Sequence, residues 1–176
     1  LSGHGGKVGF FRPVARSGEQ RDPLVQLIAK RYQLGWRYEE MYGCSADVAR
    51  ELIAADRYDE LLKTILVQYR QLQAKCDRVL CAGTDYRGGH SALEFDFNSD
   101  VANNLGCFIL PVVRGNDRSD AEIRDATGGF LKSLQERNCD ILATVINRVS
   151  RDQVDTLKEQ LAKAPLAESP AYLVPE

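Results

Sequence analysis

The sequence predicts a three-layer α/β/α fold, a doubly wound and mostly parallel sheet, and three observations lead there. Short apolar runs alternate with longer segments of helical period along the whole chain. The runs are apolar throughout rather than at every second position, the pattern of strands buried on both faces. A helix separates each run from the next, as parallel pairing requires, and right-handed crossovers wind the helices onto both sides of the sheet.

The elements follow in order. Residues 7–14 (KVGFFRPV) read as a strand, with Pro13 near its end. Residues 22–34 read as a helix with Asp22 as N-cap, Pro23 at the first helical position and Leu24, Leu27, Ile28 and Leu34 as its apolar stripe. Trp36, Tyr38, Met41 and Tyr42 form an aromatic-rich loop, explained by core packing or a domain contact as well as by a ligand. Ser45 caps a helix over 45–55, and residues 58–76 carry the stripe Leu61, Leu62, Ile65, Leu66, Tyr69, Leu72. Residues 77–83 (DRVLCAG) form a strand entering a Gly-rich loop, and a helix over 99–105 ends at Gly106. Strand 107–113 (CFILPVV), a capped helix over 119–137, strand 140–147 (DILATVIN), helix 151–164 and strand 171–174 complete the chain.

At 176 residues the chain suits one α/β domain spanning 1–176. It is 44% hydrophobic and 27% charged, with a formal net charge of -2 and both signs mixed throughout, so a disordered tail is excluded. No basic stripe favours nucleic acid or an anionic membrane, and no apolar run approaches a membrane span. Cys44, Cys76, Cys81, Cys107 and Cys139 are scattered without a CxxC pair, which argues against a disulfide framework or a zinc site and for a reducing cytoplasm. There is no secretory signal. A start at Leu1 in a Gly-rich turn and a stop at Glu176 after an apolar run read as a piece of a longer protein.

In a doubly wound sheet, ligands sit past the carboxyl ends of the strands, here residues 12–16, 83–90, 114–117 and 147–150. Gly3-His4-Gly5-Gly6-Lys7 is not a phosphate loop: Val8 follows the lysine where Ser or Thr is needed, and a strand rather than a helix comes next. His4 and His90 stand far apart with no nucleophile motif beside them. Asp117, ahead of Ser119 and Asp120, reads as turn and capping chemistry. Asp85, Tyr86, Arg87 and His90 put polar groups on a loop at the ligand end, a candidate anion or effector contact.

Phe11-Arg12-Pro13-Val14-Ala15 resembles the second strand of dethiobiotin-synthetase-like proteins of the P-loop NTPase superfamily, usually Lys-Pro-Val/Ile-Ala. Asp22 matches the position of their magnesium-binding aspartate. Ala82-Gly83-Thr84 with Gly88-Gly89 falls at their Glu-Gly loop, and Val145-Ile146-Asn147-Arg148 resembles the strand end whose asparagine reads adenine. Within that superfamily, residues 7–13 and 97–117 are most similar to the amino-terminal domain of long bacterial phosphate acetyltransferases. The resemblance spans nearly the whole chain.

Departures from the family pattern bear on chemistry. The family's first strand, phosphate loop and first helix would precede Leu1 and are not in this sequence. Without the loop's amides and lysine, nucleotide affinity should fall steeply. Ala82 stands where the family has a glutamate and cannot hold magnesium, and Arg12 replaces a lysine.

The resemblance therefore implies a non-catalytic regulatory or assembly domain of a parent that interconverts acetyl-CoA and acetyl phosphate in a carboxyl-terminal domain. Arg12, Asp22, Thr84, Arg87 and Asn147 are the candidates for a remnant nucleotide or effector crevice, with no catalytic residue, metal site or cofactor. Asp22 is also explained as a helix cap, and Asn147 as a strand terminator. The expected partners are the acyltransferase domain of the same chain, further copies in a homo-oligomer, and a small-molecule effector. The alternatives are an ATP-dependent carboxylate ligase or amidoligase of the dethiobiotin or cobyrinate type, and a free-standing binding module.

Overall fold

A computed structural model describes residues 6–18, 21–84, 91–162 and 169–176, the side chains of 91–93 excepted. Its elements are β1 (Val8–Ala15), α1 (Pro23–Arg31), β2 (Tyr42–Ser45), α2 (Ala46–Ala54), α3 (Tyr58–Gln73), β3 (Arg78–Cys81), α4 (Ser91–Leu105), β4 (Val112–Arg114), α5 (Asp120–Glu136), β5 (Thr144–Val149), α6 (Val154–Leu161) and β6 (Ala171–Pro175). Short 3-10 turns stand at Tyr38–Glu40 and Arg151–Gln153. The fold class is α/β, with every strand pairing parallel and helices flanking the sheets. The chain forms two compact units, Leu1–Leu105 and Gly106–Glu176. No helix among the described residues is long and apolar enough to cross a membrane.

The first unit holds a sheet of order β2-β1-β3. Arg12 pairs with Tyr42 on one side of β1, and Phe11 pairs with Cys81 on the other. Because side chains alternate along a strand, Phe10 and Phe11 leave β1 on opposite faces, and both are buried, at 2% and 0% exposure. Phe10 joins Val25 of α1 and Met41, with Trp36, Tyr38 and Ala82 packed around them. Phe11 meets Tyr69 of α3 edge-on, ring centroids 5.5 Å apart. A Cβ on Gly9 would fall 2.8 Å from the Cys76 sulfur, and one on Gly43 only 2.5 Å from the Pro13 carbonyl oxygen and 3.0 Å from Ile65, so α3 lies hard against this face.

The aromatic stretch read as a loop is corrected here: it contains the 3-10 turn and then β2. β2 escapes a pattern search because Tyr-Gly-Cys-Ser has only four residues and one of them is glycine. Trp36 and Tyr38 pack on the core, and the Trp36 indole N–H donates to the Val8 carbonyl at 2.9 Å. α1 ends at Arg31 rather than 34, with Gln33 in the left-handed region at φ 51. α4 begins at Ser91, eight positions before the expected 99.

The second unit holds a sheet of order β4-β5-β6. Val113 and Ile146 pair in register, so they share a face, and with Val149 they bury against Ile123 and Leu131 of α5 and Leu157 and Leu161 of α6. α5 starts with a capping box: the Glu122 N–H donates to Ser119 Oγ at 3.4 Å, and the Ser119 N–H to Glu122 Oε2 at 2.8 Å. α6 follows a 3-10 turn and is described to Leu161, short of the expected 164.

Candidate functional site

The carboxyl end of β1 sets the site in the first unit. Arg12 holds its backbone in the sheet, its N–H donating to the Met41 carbonyl at 2.8 Å, and sends its side chain to the strand end. There Nη1 donates to the Gly83 carbonyl, just past β3, and Nε stands 3.8 Å from Asp22 Oδ2. The two side chains are 13% and 5% exposed, so this ion pair is largely withdrawn from solvent.

Asp22 caps α1 as its sequence position suggested. Oδ1 accepts from the N–H groups of Leu24 at 2.9 Å and Val25 at 3.1 Å, and Oδ2 accepts from the Arg16 N–H at 3.0 Å while facing Arg12. A carboxylate offers about four lone-pair directions, and backbone donors take three of them. Its own N–H donates to the Tyr38 hydroxyl oxygen at 2.8 Å. Burial pushes the Tyr38 phenol above its ordinary value. The cap is therefore fully built in, and the geometry favours it over the metal-ligand alternative.

Thr84 closes the other side. Asn98 of α4 clamps its backbone, with Oδ1 accepting the Thr84 N–H at 2.7 Å and Nδ2 donating to the Thr84 carbonyl at 3.0 Å. Thr84 is 4% exposed, and its hydroxyl has no hydrogen-bond partner. Arg12 Nε is likewise buried without one. A buried hydroxyl without a hydrogen-bond partner is costly, and Thr84 Oγ1 is one. Ala82 packs in the apolar cluster around Phe10, where a carboxylate would be stranded.

Of the five candidates, Arg12 and Asp22 face each other at the end of β1, and Thr84 follows Gly83, whose carbonyl Arg12 contacts. Arg87 lies outside the described residues, as do Asp85, Tyr86, Gly88, Gly89, His90, and Gly3 to Gly5. Asn147 belongs to the second unit, exposed at the end of β5, where its carbonyl accepts the Gly115 N–H at 2.7 Å. Beside it Arg148 takes φ 59 where the β5–β6 register slips. Arg114 bonds Asn116 at 2.7 Å and Asp117 at 2.9 Å, and Asp117 sits in the turn at φ 59, as expected of turn chemistry.

Asn98 and Tyr38 are site residues that reading the strand ends alone misses. A polar residue between Phe97 and Ser99, both buried, was the available signal for Asn98. Among the described residues no cluster of His, Cys, Asp and Glu suits a metal ion. None of the five cysteines forms a disulfide, and burial pushes Cys44 up to about 11, so it remains protonated near neutrality. A depression lined by Asp59, Glu60, Lys63, Thr64, Val67 and Gln68 lies along the exposed face of α3, with every lining residue from that one helix.

Comparison with known proteins identifies the chain's family and relatives. The profile of a family described as an AAA domain matches residues 1–170. A phosphate acetyltransferase of Nitratidesulfovibrio vulgaris is 35% identical over 97% of this chain and 25% of its own length. A phosphate acetyltransferase of Synechocystis sp. is 29% identical over 88% of this chain and 22% of its own length. The chain therefore spans about a quarter of the length of the curated relatives it matches.

Proposed function

The chain belongs to the AAA domain family, and from that premise we propose that it is the amino-terminal regulatory or assembly domain of a cytoplasmic phosphate acetyltransferase. The observation that carries this reading is one of coverage: 97% of the chain aligns with only 25% of a phosphate acetyltransferase. In this reading residues 1–176 act as one dethiobiotin-synthetase-like domain, and acetyl transfer between coenzyme A and phosphate takes place in a carboxyl-terminal domain of the same polypeptide. The domain itself performs no chemistry. Support comes from Asp22, whose carboxylate is occupied by three backbone donors, and from Ala82 in an apolar cluster where a metal-binding acid would be needed.

Its role is to bind a small anionic effector at Arg12 and Thr84 and to help the parent form a homo-oligomer. Arg12 Nε and Thr84 Oγ1, buried and without a hydrogen bond, support an anion, since a guanidinium and a hydroxyl both donate to carboxylate or phosphate oxygens. The competing ATP-dependent ligase needs the same strand end to carry magnesium and phosphates.

The test uses the full-length natural polypeptide, assayed for acetyl transfer from acetyl-CoA to phosphate and for magnesium-dependent ATP hydrolysis. Acetyl transfer with no ATP turnover above the blank is expected, and Arg12→Ala should leave the basal transfer rate unchanged. ATP hydrolysis that Arg12→Ala abolishes would overturn the reading in favour of the ligase.

A further inference from the structure

The second unit brings two of its cysteines side by side on neighbouring chain segments. Ile109 and Ile141 form a parallel bridge, in which the Ile109 N–H donates to the Asp140 carbonyl at 2.7 Å and the Leu142 N–H to the Ile109 carbonyl at 2.9 Å. Two residues back along each segment stand Cys107 and Cys139. Side-chain direction in extended chain repeats every second residue, which puts both cysteines on the side of Ile109 and Ile141. Parallel chains run about 4.8 Å apart, inside the window of roughly 4.4–6.8 Å between Cα atoms that a disulfide accepts. In the first unit, by contrast, β1 stands between Cys44 and Cys81, which pair with Val14 and Phe11 on its two sides.

We propose that Cys107 and Cys139 are a reversible dithiol–disulfide pair, a redox-sensitive modification site within the second unit. Cys107 is half-buried, whereas Cys139 is 7% exposed, its N–H donating to the Leu134 carbonyl at 3.0 Å where α5 ends. That difference sets the order of events. The Cys107 thiolate attacks one sulfur of a low-molecular-weight disulfide such as oxidised glutathione, and the other half leaves as a thiol. The Cys139 thiolate then attacks the Cys107 sulfur of the mixed disulfide, closing the Sγ–Sγ bond and releasing the second thiol. Two cysteine protons and two electrons thus pass to the two halves of the small disulfide, and excess thiol reverses both steps. The bridge at Ile109 is isolated, so no longer ladder holds the segments against the adjustment that sulfur geometry demands. Once closed, the bond ties the two ends of residues 107–139, which contain β4 and α5, and restricts the unfolded chain. The pair lies wholly within Gly106–Glu176 and requires nothing of the proposed acetyl transfer.

Thiol mapping of the full-length natural polypeptide tests it. The protein is equilibrated in glutathione buffers stepped from fully reduced to fully oxidised, denatured, alkylated and digested with trypsin. At the oxidised end, the peptide carrying Cys107, residues 88–114, should be joined to the one carrying Cys139, residues 138–148. The link should form within one polypeptide and be lost on adding dithiothreitol, with both thiols recovered. In Cys139→Ser, glutathione should accumulate on Cys107, whereas in Cys107→Ser the Cys139 thiol should stay open to alkylation. Cys107 and Cys139 left unlinked at the oxidised end, Cys107 joined to a different cysteine, or a link between two copies would each overturn the proposal. The map of the unsubstituted protein decides this by itself if either serine variant misfolds.

Discussion

The two sheets of this chain are built alike and finished differently. Each has three parallel strands with an apolar strand in the middle. In the first, β1 is covered on both faces, Phe10 by α1 and Phe11 by α3. In the second, Ile146 is fully buried on one face while Val112 and Tyr172 stand 61% and 59% exposed on the other. Residues 107–113 are as continuously apolar as β1, so sequence character is not what separates the two sheets. Among the described residues the difference lies in which faces the helices of each unit cover: α1 and α3 pack on opposite faces of β1, whereas α5 and α6 both join the Ile146 cluster.

Substitutions can sharpen that contrast. Phe11→Ala should cost the most, about 3–5 kcal/mol, because it empties the dense contact with Tyr69 and α3. Ile146→Ala should cost about 2–5 kcal/mol. Urea unfolding of the two variants side by side measures this, and an equal or larger loss for Ile146 would break the contrast.

Gly43→Ala tests how tightly α3 presses on the first sheet. Its new methyl would meet the Pro13 carbonyl oxygen at 2.5 Å, and overpacking of this kind costs about 1–3 kcal/mol. A neutral result in the same unfolding assay would mean that the β2–α3 contact is looser than the coordinates place it. In the second unit, Ser119→Ala should remove the α5 cap for about 1 kcal/mol, read as a shift in the urea midpoint.

The smallest effect is electrostatic and confined to the first unit. The Lys75 ammonium, bonding at 2.6 Å, together with the Arg37 backbone N–H, holds the Glu40 carboxyl down at about 2, against 4.5 unfolded. Since the folded value is the lower one, the stabilisation is fully present above pH 4.5 and is lost as pH falls through about 2. Glu40→Gln should flatten the acid limb of the stability profile between those limits. An NMR titration of Glu40 near the ordinary carboxylate value would contradict this.

Much of the fold was legible because its strands are local and rich in apolar residues: β3 falls within its expected run, β1 runs one residue past its own, and β5 starts four residues later and ends two residues later than expected. β2 was not, since its stability comes from pairing with β1 and from the glycine that admits α3, neither of which leaves a periodic trace. In the candidate site, Asp22 could be read from the Asp-Pro start of α1, but the clamp of Asn98 on Thr84 could not, because it joins a loop to a helix fourteen positions away. The strand expected over 107–113 is only partly formed: β4 is Val112–Arg114, preceded by an isolated bridge between Ile109 and Ile141.

By itself the sequence determined the α/β class, the parallel character of the strands, the capped helix starts at Asp22, Ser45 and Ser119, and the absence of a glutamate at position 82. These follow from local rules, in which periodicity and capping chemistry act over a few residues. Only the tertiary structure decided that Arg12 and Asp22 pair at the end of β1, that the Thr84 hydroxyl is buried without a hydrogen bond, and which sheet faces the described helices cover. Burial and hydrogen-bond satisfaction depend on what packs against a residue from elsewhere in the chain, and the residue's own neighbours in sequence do not carry that information.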